Sequence, residues 1–287
     1  MKKLLTTSTP FLDLRPREQM SKFGPFTIRM LATAMVFAGL TTGLAFAQTA
    51  SSKATAAIST AVGCTSTGVT TIGDTLPVTC HDIFLGTSVS VTADNFAQIM
   101  ATTMKVSNSQ SIFVSPSLVT GLYTNTKTKT SSGGSSTATA EGTVFLRAVL
   151  RDPNTGAVVQ IADPIADCAD QILGCVKDTH GSYGVVLDSR VQTLSQTLSA
   201  CVVTVLGTAG GSCNFDSTLQ LILQTTSAHS FNFIFPNVGV GTYKISIEAA
   251  VNTSATVSGS GTAIAGAAYG LGSLTAESVR MVHDFSF

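Results

Sequence analysis

From about Ser109 onwards the sequence alternates with a period of two, and it keeps that pattern to its end. A chain written this way offers one face of each strand to a core and the other to water, so it folds as sheets. The clearest instance is Phe231, Phe233 and Phe235, alternating with Asn232 and Ile234. The turn Pro236-Asn237-Val238-Gly239-Val240-Gly241 leads on to Tyr243, Ile245, Ile247 and Ala249, alternating with Lys244, Ser246 and Glu248. This reads as an antiparallel pair with one dry side and one wet side, Ser246 and Glu248 lying on the wet one.

Further strands are predicted over 110–123, 143–150, 157–162, 184–190, 201–206, 218–225, 255–268 and 274–287. Asp152-Pro153-Asn154-Thr155-Gly156 is a strong turn between two of them. Ten or so short strands with frequent turns and little helix predict an all-β fold. The expected architecture is a two-sheet antiparallel β-sandwich, jelly-roll-like in its last four strands. No run of amphipathic helices alternates with the strands, which excludes a parallel α/β arrangement. One stretch is ambiguous: Asp94 is placed to cap a short helix burying Phe96, Ile99, Met100 and Met104, and a strand over Val89-Ser90-Val91 is an equal reading of the region.

The start of the chain sets the compartment. An apolar run from Met30 to Leu44 precedes Ala45-Phe46-Ala47, and basic residues precede the run. That order predicts a cleavable signal peptide over 1–47, cut between Ala47 and Gln48. Met20 gives a shorter basic leader than Met1 and is the expected initiator. The product is expected to be secreted or periplasmic, with no membrane span after cleavage. Residues 48–82 read as a poorly structured, Ser/Thr/Ala-rich N-terminal arm, and 83–287 as a single sandwich domain.

All six cysteines lie after the leader, in a compartment where disulfides persist. Their spacing favours local pairs: Cys64 with Cys80, Cys168 with Cys175, and Cys201 with Cys213. Loops this short contribute roughly 2–3 kcal/mol each in the chain-entropy model. There is no CxxC pair and no Cys/His cluster at zinc-ligand spacing. Beyond Ala47 acids outnumber bases and no basic patch forms, which argues against nucleic acid as a partner.

Residues 227–283 carry a signature: Ser-Ala-His-Ser-Phe-Asn-Phe, then Pro-Asn-x-Gly-x-Gly, then a closing Ser-Leu-Thr strand. This fifth of the chain resembles a family of exported bacterial β-sandwich proteins of uncharacterised function. The resemblance implies fold and export, and no chemistry. The family pattern often has His where this chain has Tyr243, so no role is carried to that position.

Few constellations suggest chemistry. His81, His180, His229 and His283 have no second histidine at ligand spacing. A Ser/His/Asp set can be drawn from His180, Asp178 and any of many serines, yet no Gly-x-Ser-x-Gly elbow is present. His229 is expected to bond neighbouring backbone and fix a corner. Asp163, Asp167, Asp170 and Asp178 surround the Cys168–Cys175 loop and are candidate oxygen ligands for calcium, though their spacing matches no EF-hand. No other cofactor is expected.

The low-complexity segment 124–141 places Thr124, Thr126, Thr128 and Thr130 on one face and Lys127 and Lys129 on the other. A flat threonine ladder suits ice or a glycan, whereas a solvated hairpin tip with lysines guarding a sheet edge is the simpler expectation. Asn252-Thr253-Ser254 fits a glycosylation sequon. Val279, Met281, His283, Phe285 and Phe287 alternate like the last strand of an outer-membrane barrel, but the other strands lack lipid-facing bands. The expected role is a non-enzymatic structural or surface-interaction protein, with a homo-oligomer as candidate assembly. An extracellular glycan- or ligand-binding module, with calcium at the acidic loop, is the alternative.

Overall fold

The computed structural model describes residues 53–74, 96–165, 175–177, 183–205, 208–213 and 215–280. The protein is a β-sandwich of two antiparallel sheets, and no helix occurs among the described residues. Its strands are β1 (Ala54–Ser59), β2 (Gly63–Thr70), β3 (Ala97–Val106), β4 (Gln110–Ser131), β5 (Ser135–Arg151), β6 (Val158–Ile161), β7 (Cys175–Lys177), β8 (Tyr183–Thr197), β9 (Cys201–Val205), β10 (Thr208–Cys213), β11 (Asp216–Ser230), β12 (Phe233–Val238), β13 (Gly241–Ser258) and β14 (Ser260–Val279). The first sheet runs β1-β14-β4-β11, with β2 also on β14 and β12 also on β4. The second runs β3-β13-β5-β8-β7, with β6 also on β5. A separate hairpin joins β9 to β10.

Several strands are long, β4 spanning 22 residues and β14 spanning 20. The chain changes sheet where they turn: β4 passes to β5 through 132–134, and β13 passes to β14 through Gly259. Gly259 has φ +80°, and a Cβ there would lie 2.7 Å from Ser135 O, so glycine is required at this corner. One end of the sandwich is apolar. Ile112, Val114 and Leu118 of β4, Phe233 and Phe235 of β12, Leu146 and Leu150 of β5, Ile245 and Ile247 of β13, and Met104 of β3 fill it. Beyond Leu122 the two sheets continue as a narrower arm. There β5 and β14 face each other through small residues, Ala138, Ala140, Ala263 and Ala265, all fully buried. A Cβ on Gly142 would lie 2.9 Å from Gly266 O, so the backbones come close here.

Five sequence expectations change. Residues 54–59 and 63–70 fall in the stretch read as a poorly structured arm, yet they form β1 and β2 and pair with β14. The helix capped by Asp94 is replaced, over its described part, by strand β3. A register shift opposite Ile247/Glu248 leaves Ile99 without a partner on β13, so Ile99 and Met100 are both buried. Two adjacent buried residues imitate helical spacing, which explains the misreading. The phenylalanine strand and the Tyr243 strand are not a hairpin: β12 pairs with β4, and β13 pairs with β3 and β5 in the opposite sheet. The predicted strand 255–268 is broken at Gly259, its first part ending β13 and its second opening β14. The segment 124–141 is no solvated tip but the ends of β4 and β5, and β4 lies between β14 and β11, so its lysines guard no edge.

Candidate functional site

The inward face of β4 changes character along its length. Ile112, Val114 and Leu118 give way to Thr120, Thr124, Thr126 and Thr128, all four threonines fully buried. Burying hydroxyls is costly unless each finds a partner. The partners come from β8, where Asp188, Arg190, Gln192 and Gln196 face β4. Thr120 donates to Asp188 Oδ2 at 2.6 Å, Thr124 to Gln192 Oε1 at 2.7 Å, and Thr128 to Gln196 Oε1 at 3.1 Å. Arg190 donates to the carbonyl of Leu122 at 3.3 Å. In all four cases the partners are 68 positions apart. The Gln192 amide nitrogen also donates to Thr126 Oγ1 and to the Leu221 carbonyl. The seam is therefore a matched polar ladder. Among the described residues only Thr130 Oγ1 is buried without a partner.

The seam ends, towards the apolar half, in a contact of Ser, His and Asp side chains. His229 Nε2 lies 2.7 Å from Ser227 Oγ and 3.3 Å from Asp188 Oδ2. His229 thus bonds a side chain of its own strand, Ser227, and one of the facing sheet, Asp188. Ser, His and Asp in contact invite comparison with a nucleophilic triad. In a triad the acid holds one ring nitrogen and the serine the other, so that a proton can cross the ring. Here both partners share Nε2. The arrangement ties β8 to β11 and provides no relay.

A second cluster lies on the outer face of the other sheet. Glu248, only 3% exposed, is gripped by Arg147 Nη2 at 2.6 Å and by Arg151 Nη2 at 2.5 Å. The Arg147 guanidinium also stacks over Phe96, 4.2 Å from the ring centroid. Ser246, fully buried, donates to Gln98 Oε1. The wet side expected for Ser246 and Glu248 is therefore roofed by arginine and aromatic side chains.

Near the arm's tip an open depression of about 610 Å³ is lined by Asp74, Lys127, Lys129 and Asp216, among others. Lys127 pairs with Asp74 at 3.0 Å and Lys129 with Asp216 at 3.5 Å. The hydrogen bond from Lys127, and then that from Thr262, hold the Asp74 carboxyl below its ordinary value.

The residues singled out from sequence are distributed as follows. Cys201 and Cys213 form a disulfide across the β9–β10 hairpin, where they are register partners. Cys64 is buried and disulfide-bonded, its bond reaching beyond the described side chains. Cys175 contributes backbone to β7, while Cys80 and Cys168 lie outside the described residues. Of the four candidate calcium ligands only Asp163 is described, and its backbone bridges Ile234. Asp167, Asp170 and Asp178 lie outside, as do His81, His180, His283 and the leader 1–47. No group of three or more His, Cys, Asp or Glu among the described residues is placed to hold a metal ion. No helix among the described residues is long and apolar enough to cross a membrane.

Sequence reasoning missed Asp188, Gln192 and Gln196. Their four-residue spacing on one strand face was the available signal: polar residues where an aliphatic would be ordinary. It also missed Arg147 and Arg151, whose acid lies about a hundred positions away. No protein-family model matches the chain, and no curated protein matches it.

Proposed function

We propose that the chain is an exported, non-enzymatic structural or surface-interaction protein. The observation that carries this reading is the arm. Strands of 15 to 22 residues run unbroken from the apolar half into it, against a usual length of about 5–6. Two such sheets, cross-tied by side-chain hydrogen bonds, make a stiff element rather than a wall around a cavity. Among the described residues, Asp188 ties β8 to β4 and to His229 of β11, and Glu248 ties β13 to β5. The oxidised hairpin at Cys201–Cys213 agrees with life outside the reducing cytoplasm.

The test is to fractionate producing cells and follow the native protein. It is expected to stay with the cell envelope or surface material and to be released by denaturant. Recovery as freely diffusing protein that binds neither itself nor cell-surface material overturns the reading.

A second reading, a glycan- or ligand-binding module, is favoured by the depression at Asp74, Lys127, Lys129 and Asp216, whose charged groups suit sugar hydroxyls. It predicts glycan binding that Lys127→Ala abolishes.

A further inference from the structure

We infer that β11 is a homodimerisation edge, pairing antiparallel with β11 of a second copy of this chain about a two-fold axis through Ile222. This rests on the surface-interaction reading above and names its partner.

β11 hydrogen-bonds to β4 in continuous register from Asp216 to Ser230. On its other side no strand pairs with it among the described residues. Such an edge is a template for another strand, and proteins commonly blunt it with charge, proline, bulges or brevity. β11 uses none of these. From Ser217 to Ala228 it has no charged residue, no proline and no glycine. In the facing sheet, β8, which β7 covers only over Tyr183–Val185, carries Asp188 and Arg190 beyond that pairing.

The edge is also apolar. Leu219, Leu221, Ile222 and Leu223 are 46%, 42%, 52% and 42% exposed. The three leucines are register partners of Thr128, Thr126 and Thr124, so they lie on the inward face of their sheet. The facing sheet leaves them partly uncovered. A strand added to β11 would cover them and complete that face.

The occupant is indicated by the sequence of the edge itself. Ser217-Thr-Leu-Gln-Leu-Ile222-Leu-Gln-Thr-Thr-Ser227 reads almost the same in both directions about Ile222, with Leu219 against Thr225 as the one mismatch. A two-fold interface brings the same patch of two copies together, so residue i of one meets residue j of the other and the reverse. Centred on Ile222, antiparallel pairing sets Leu221 opposite Leu223, Gln220 opposite Gln224, Thr218 opposite Thr226 and Ser217 opposite Ser227. Apolar meets apolar and hydroxyl meets hydroxyl, the favourable cross-strand combinations. Asp216 falls opposite Ala228, so the two acids stand at opposite ends and do not repel. The Gln192 amide already bonds the Leu221 carbonyl, but a carbonyl oxygen has a second lone pair for a ladder bond.

The test uses the purified exported chain with its cysteines oxidised, its mass followed by light scattering and native mass spectrometry. The wild type is expected to be a dimer. Ile222→Lys and Ile222→Glu each set like charges on the axis and are expected to halve the mass. Mixing the two in equal amounts restores a dimer of mixed composition. Ile222 is half-exposed, so these changes leave the fold intact, as circular dichroism will verify. As an independent measurement, Ile222→Cys is expected to give a covalent dimer on oxidation, since facing Cα atoms in an antiparallel pair lie within disulfide reach. A monomeric wild type, an unaltered mass in Ile222→Lys, or failure of the mixture to pair overturns the inference. A monomer that stays with cell-surface material removes the β11 edge alone, whereas a monomer free in the fluid removes the functional reading as well.

Discussion

Thr124 of β4 donates its hydroxyl proton to Oε1 of Gln192 on β8, across the gap between the two sheets, at 2.7 Å. Both groups are buried, and neither has water to fall back on. This bond belongs to a ladder that takes over from the aliphatic core as the sheets run into the arm. Aliphatic side chains pack in many registers, while paired donors and acceptors fit in one.

Thr124→Val and Thr130→Val are the same chemical change a few residues apart, and they are expected to differ in sign. The first leaves the Gln192 carbonyl oxygen without its donor and is expected to cost about 1–3 kcal/mol. The second removes a buried hydroxyl that has no partner, so it is expected to be neutral or stabilising. Urea unfolding at neutral pH compares the two, and equal losses would contradict the ladder.

Glu248→Ala strips two guanidinium groups of their shared acid. Removing one partner of a buried ion pair costs about 3–5 kcal/mol. Arg147 and Arg151 keep some contact with solvent, with side chains 18% and 24% exposed. The loss is therefore expected near the lower end, about 3 kcal/mol. Glu248→Gln keeps an acceptor and is expected to lose less. A fall in melting temperature under 2 °C for the alanine variant would show that the cluster is dispensable.

Asp74 sets a pH dependence. Its folded carboxyl lies below the ordinary 3.8, first through the hydrogen bond from Lys127 and then through that from Thr262. As pH falls the unfolded chain takes up this proton before the folded one, so the folded state loses ground. The contribution is full above about pH 4 and disappears as pH falls through the lowered folded value. Asp152, held down by the backbone N–H groups of Thr155 and Asn154, acts with the same sign. The melting-temperature gap between wild type and Asp74→Asn is expected to be constant from neutral pH to about 4, then to close. A gap that persists at pH 2 would remove Asp74 from the account.

Gly63 of β2 lies under the ring of Tyr269, its register partner on β14. A Cβ there would sit 2.3 Å from the ring's Cζ. Gly63→Ala must displace a side chain that is itself only 3% exposed, at about 1–3 kcal/mol. The pair Gly63→Ala and Tyr269→Ala is expected to lose less than the sum of the single changes, and a double-mutant cycle by thermal melting measures the difference.

Sheets, and their packing as a sandwich, were legible from the alternation around Phe233, Phe235, Ile245 and Ile247, because period two is a property of neighbouring residues. The turn at Asp152 was legible for the same reason: its carboxylate bonds the backbone of Asn154 and Thr155. The buried threonines were not. Thr124 reads as solvent-facing until Gln192 is set opposite it, and nothing local in 124–130 announces a partner 68 positions away. Glu248 misled in the same manner, since its neutralisers lie on another strand. Strand β3 was obscured by a single unpaired residue, Ile99, which shifts the alternation by one. The calcium loop and two of the three cysteine pairs rest on residues outside the described set.

The offset of 68 positions limits how the arm can change length. The facing strands mesh like the two rows of a zip fastener cut to one tooth spacing. Deleting a single residue from β8 before Gln192 would turn every later tooth outward and set the short Thr193, Ser195 and Thr197 opposite the threonines, too short to reach them. The arm can therefore be lengthened or shortened in register only by whole dipeptides, inserted together in β4, β5, β8 and the strands paired with them. Each permitted step changes its reach by about 7 Å.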